Sequence, residues 1–146
     1  MGDFDYVAPA IKNSGLEVKF ESIAAQPGRP LVYATNNRKF CFGMPGNPVS
    51  GLVLFETIEK PFLFKIMGND FTPGLFPFRL SEKISRKKAL RRSYYPVKLY
   101  GTDTVKPIDY HGSAHLNSYS EAFGIIALEE GVFEKSAGEI VYVRQI

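Results

Sequence analysis

The chain has 146 residues, 45% of them hydrophobic and 23% charged, and carries a net charge of +3. That length holds one ordinary domain or two small ones, and the composition excludes a disordered chain. Three surplus positive charges are too few to argue for nucleic acid, and the single Cys41 excludes an internal disulfide, so a reducing cytoplasm is the expected location.

In chain order, Asp5 to Gly15 (DYVAPAIKNSG) sets Tyr6, Val7, Ala10 and Ile11 at helical spacing and ends on a glycine suited to a C-terminal cap. Pro9 falls in the first turns, where its missing N–H costs little. Leu16 to Ala24 alternates Leu16, Val18 and Phe20 with Glu17, Lys19 and Glu21, the period of a strand. Gln26 to Pro30 (QPGRP) is turn chemistry. The apolar runs Leu31–Thr35 and Lys39–Gly43 flank Asn36-Asn37 and predict a hairpin. A long apolar helix follows from Pro48 to Met67, which Pro61 should break or kink near Lys60. Glu56, Glu59, Lys60 and Lys65 interrupt it, so it fails as a membrane span, which needs about 20 nearly uncharged residues. Strands feeding helices in this way predict an α/β layer.

Beyond residue 69 the pattern changes. Asn69 to Phe78 (NDFTPGLFPF) reads as a linker. Short strands follow in FRLSEKI, YYPVKLYG, TVKPIDYH, FGIIALEE and GEIVYVRQI, with no long helical period among them. That spacing predicts a small all-β sandwich or barrel, with a domain boundary near residue 70.

The segment Gly43–Gly51 (GMPGNPVSG) is an unusually complete helix start. Asn47 is a preferred N-cap, Pro48 suits the first helical position, and the Ser50 hydroxyl lies in the first turn. Gly43 and Gly46 permit a tight bend and close approach to bare backbone. Free N–H groups at the positive end of a helix favour a phosphate or other oxyanion; the alternative is a well-capped buried helix and nothing more.

The run GMPGNPVSGLVLFETIEKPFLFKIMG resembles the G-[LM]-P-G-N-P-V-S segment of the MoeA-like molybdopterin molybdenumtransferases, the family that includes gephyrin's E domain. GDFDYV (Gly2–Val7), QPGRPLVYA (Gln26–Ala34) and HGSAHLNSYSEAFGIIALEEG (His111–Gly131) resemble further family stretches in the same order. The resemblance implies a fold: the C-terminal half of an α/β pterin-binding (MogA-like) domain over residues 1–70, then a β-barrel domain over 71–146. It implies an activity as well, the insertion of molybdate into adenylylated molybdopterin with AMP release and a divalent metal such as Mg²⁺. A homodimer and a MogA-like adenylyltransferase are the implied partners, with no role for nucleic acid or membrane. The family motif upstream of G-D-[YF]-D implies that Met1 is an internal position of a longer protein or an internal start, and that this piece alone does not turn over. A non-catalytic molybdopterin-binding or scaffold module is the alternative.

Residue by residue, the resemblance places Pro45, Asn47, Pro48 and Ser50 on the loop beside molybdate and pterin, Arg29 and Arg91 at anion contacts, and Ser113 near molybdate. Asp5 matches an active-site carboxylate, which could coordinate metal, act as a base or only cap the first helix; Asp3 is read as a cap. Three departures weaken the anion site, because family basic residues are replaced by Ser22, Gln26 and Pro96. The basic run Lys83–Arg92 reads as a solvated edge or loop, His111 and His115 are not assigned as ligands, and Cys41 is expected to be inert.

Overall fold

The computed structural model describes residues 6–108 and 117–146. Helix α1 (Val7–Asn13) starts two residues later than the apolar spacing predicts, and Gly15, at φ +80°, follows its Ser14 cap. It buries Ala8 and Ile11 against Val32 and Ala34. Each such aliphatic side chain removed from water contributes roughly 1–3 kcal/mol.

Those two partners sit on β3 (Val32–Thr35), the middle of a three-stranded sheet with β1 (Glu17–Phe20) and β4 (Phe40–Gly43). Asn37, at φ +70°, makes the hairpin between β3 and β4, where the Asn36-Asn37 pair predicts it. Both pairings are antiparallel. This corrects the expected half of an α/β domain: the sheet of β1, β3 and β4 contains no parallel pair. The cause is chain length. A parallel pair needs a crossover of a dozen or more residues, and the β3–β4 turn is far shorter.

The other face of this sheet carries stacked aromatic rings. Tyr33 lies 5.5 Å from Phe20 and 5.0 Å from Phe42, while Phe62 meets Phe40 and Phe42 edge-on, each at 5.1 Å. Phe62 belongs to the long helical stretch, which is continuous across Pro61 but changes pitch. Helix α2 (Pro48–Leu54) runs into a π-helical turn, Phe55–Glu59, and then α3 (Lys60–Ile66). In the π turn the Lys60 N–H reaches back five residues to the Phe55 carbonyl. The next carbonyl, that of Glu56, would face residue 61, and proline has no N–H to donate. The expected break is therefore a wider turn, a known way for a helix to absorb a proline.

The C-terminal part closes into a barrel. Strands β7 (Arg92–Leu99), β8 (Thr104–Pro107), β5 (Leu75–Leu80), β11 (Ile140–Gln145) and β9 (Gly124–Leu128) pair in that order, and β9 pairs back onto β7. Only β5–β8 is parallel within this ring. The alternation of β11 shows why it closes: Val141 and Val143 point inward, while Ile140 and Tyr142 face outward. Inside, Leu80, Ile84, Val97, Val105, Ile126 and Leu128 complete the core. Strands β6 (Ile84–Ser85) and β10 (Glu134–Lys135) form a small antiparallel flap beside it.

Two contacts tie the parts together. Strand β2 (Ala25–Gln26) leaves the first sheet's path and pairs parallel with Arg92 and Ser93 of β7. Val49 and Val53 of α2 pack outside the barrel on Ile125 and on Tyr119 of the short helix α4 (Asn117–Ser120).

Candidate functional site

The helix start has the capping geometry its residues predict. Asn47 stands at φ −78° and ψ 116°, and its side-chain oxygen accepts the Val49 N–H at 3.0 Å. Pro48 occupies the first turn and the Asn47 carbonyl accepts the Gly51 N–H at 3.0 Å. Pro45 and Asn47 are half-buried and Pro48 is exposed, whereas Ser50 is only 5% exposed and so belongs to the packed side of the helix. One amide of the first turn is thus already satisfied by Asn47, and the rest of the first turn carries the positive helix end.

Arg29 and Arg91 belong to a second assembly around the Gln26–Pro27 turn, which contains a cis peptide bond. Gly28, at φ +108°, lies so close to α2 that a methyl there would stand 2.8 Å from the Leu54 side chain. The turn is thereby seated on the helix. Arg91 donates from Nη2 to Gln26 Oε1 at 3.2 Å, so the Gln26 side chain holds this arginine. Arg29 is exposed, and its carbonyl accepts the Ile23 N–H at 2.9 Å. A cavity of about 360 Å³ adjoins this turn, lined by Gln26, Pro27, Ser93, Tyr95, Pro96 and Pro107. Asp3, Asp5, His111, Ser113 and His115 lie outside the described residues.

The basic run behaves differently from a solvated edge at one position. Arg86 donates from Nε to the Val132 carbonyl at 2.7 Å and from Nη1 to the Arg91 carbonyl and Ser93 Oγ, both at 2.5 Å. Its Nη2 donates to the Glu129 carbonyl. One guanidinium therefore staples the segment entering β7 to the loop that follows β9, while Lys87 and Lys88 are exposed. Nothing local in KISRKKALRR marks Arg86 apart from its neighbours.

Residues 78–146 match the family described as the MoeA C-terminal region (domain IV). The Molybdopterin molybdenumtransferase of Haemophilus influenzae is 30% identical across 98% of this chain and 36% of its own length. Residues 78–146 therefore belong to the MoeA C-terminal family. A Staphylococcus epidermidis protein of the same name is 29% identical across 98% of the chain and 35% of its length. The solved molybdopterin biosynthesis MoeA protein of Pyrococcus horikoshii shares 33% identity and a TM-score of 0.78, over 94% of this chain and 34% of that one. The chain thus spans about a third of the relatives it matches. Among its described residues no three His, Cys, Asp or Glu side chains gather around a common point. No helix among them is long and apolar enough to cross a membrane.

Proposed function

We propose that this chain contributes the C-terminal part of a molybdenum insertase, which places molybdate into adenylylated molybdopterin and releases AMP. The similarity to molybdenumtransferases along 98% of the chain carries this reading. The helix start at Asn47 would meet the oxyanion, with Pro45, Pro48 and Ser50 shaping that corner and Arg29, Arg91 and Ser113 adding charge or hydrogen bonds. Asp5 would serve as base or metal ligand. A cytoplasmic location, a domain boundary near residue 70, a homodimer, a MogA-like adenylyltransferase as partner and inactivity of this piece alone belong to the same reading.

The decisive experiment transplants these residues into the corresponding third of the Haemophilus influenzae relative and measures molybdate-dependent AMP release. The expected result is turnover in the chimera and none in the chain alone. A folded chimera that releases no AMP would favour a non-catalytic scaffold module, to which the Arg91–Gln26 hydrogen bond lends weight because it occupies a cation the ligand would need.

A further inference from the structure

The larger cavity, about 540 Å³, lies between the π turn and the outside of the barrel, and no residue assigned above to molybdate or pterin lines it. Its volume is in the range of small-molecule sites. One wall is flat and apolar: Tyr94 and Ala127 are cross-strand partners on β7 and β9, with Ile125 beside them. Beside this wall stand Arg92, two residues before Tyr94 on β7, and Arg144, the cross-strand partner of Ile125.

Arg144 is held in an unusual way. Its Nη2 donates to the Glu56 carbonyl, the one that Pro61 leaves without a backbone donor, and approaches Glu56 Oε2 at 3.9 Å. Phe71 stacks 5.6 Å from the guanidinium carbon, and the side chain is only 12% exposed. Its Nε and Nη1 have no hydrogen-bond partner among the described residues. Burial lowers its pKa, while Glu56 and Tyr94 act in the opposite direction and Arg92 adds to the lowering. Arg92 sits over the Tyr94 ring at 5.5 Å and pairs with the exposed Glu129 at 2.9 Å, an exchangeable surface contact. Lys135 also lines the cavity, paired with Glu139 at 2.5 Å, so that Arg92, whose partner Glu129 is exposed, is the cation most open to exchange.

We propose that this cavity binds a small aromatic anion, a flat ring bearing a carboxylate, sulfonate or phosphate, with Arg144 and Arg92 taking the charge and Tyr94, Ile125 and Ala127 taking the ring. The pinned guanidinium offers its remaining N–H groups to an oxyanion as charge-assisted donors. Ring contact with Tyr94 and the aliphatic wall supplies the apolar share.

The probe is naphthalene-2-sulfonate, titrated calorimetrically against the full-length protein, with neutral 2-naphthalenemethanol alongside. One saturable site is expected, with the alcohol binding at least about tenfold more weakly. Arg92→Gln, a half-exposed position that leaves the fold intact, should weaken the sulfonate by about tenfold. Ala127→Phe, which fills the ring pocket, should abolish binding, with thermal melting checked in parallel. Asn47→Ala should leave it unchanged, separating this site from the proposed molybdate corner. Absence of saturable binding, equal affinity for the alcohol, or binding indifferent to Arg92→Gln would overturn the proposal.

Discussion

Asn47 does a definable job, since its side chain satisfies a first-turn amide that no backbone carbonyl can reach. Asn47→Ala should lower stability by about 1 kcal/mol, read as an earlier denaturant midpoint with an unchanged slope. Glu59 is the opposite case. Its Oε1 is buried without a partner, and burial raises its pKa from the ordinary value of 4.5. A carboxyl with a raised folded-state pKa stabilises fully below its unfolded value and loses that contribution as pH rises through the folded one. Glu59→Gln should therefore raise the melting temperature at neutral pH and change it little at about pH 4; a gain equal at both would show that charge is not the cause. The Asn47 cap is legible in sequence because a cap is a local event. Glu59 is not, because the burial of its Oε1 depends on how the helix packs and leaves no mark in the local sequence.

The long helix shows how an element settles a local conflict. Pro61 removes a donor, the π turn spreads the defect, and Arg144 supplies the hydrogen bond from 88 residues away. Arg144→Met, nearly isosteric along its stem, should cost about 1–3 kcal/mol by leaving the Glu56 carbonyl buried and unpaired. A melting temperature within error of the wild type would show that the contact contributes nothing. The Gln26–Pro27 turn is a second element fixed from outside. Gly28 is required there twice, by its φ of +108° and by the 2.8 Å approach to Leu54. Gly28→Ala should destabilise by about 1–3 kcal/mol and loosen the Arg91–Gln26 contact, visible as faster amide exchange in residues 25–30.

Across the whole molecule, the first sheet and the barrel are joined by the β2–β7 pairing and by α2 packed on Ile125. Helix α3 has no buried residue, and Leu63, Phe64, Ile66 and Met67 are exposed along it. An apolar stripe of that size seeks cover. The chain alone should self-associate, giving a light-scattering mass above 16.3 kDa at concentrations well above micromolar; a strictly monomeric species would refute this. Sequence by itself determined the elements whose signals are short-range: the Asn36-Asn37 hairpin, the capped helix start, the alternating barrel strands and the family to which those strands belong. Only the tertiary structure decided that the first sheet is antiparallel, that Arg86 staples the segment entering β7 to the loop after β9, and that Arg144 meets the carbonyl which Pro61 leaves open. Those outcomes depend on which distant groups remain unsatisfied once the chain has packed, and a local pattern of residues does not contain that information.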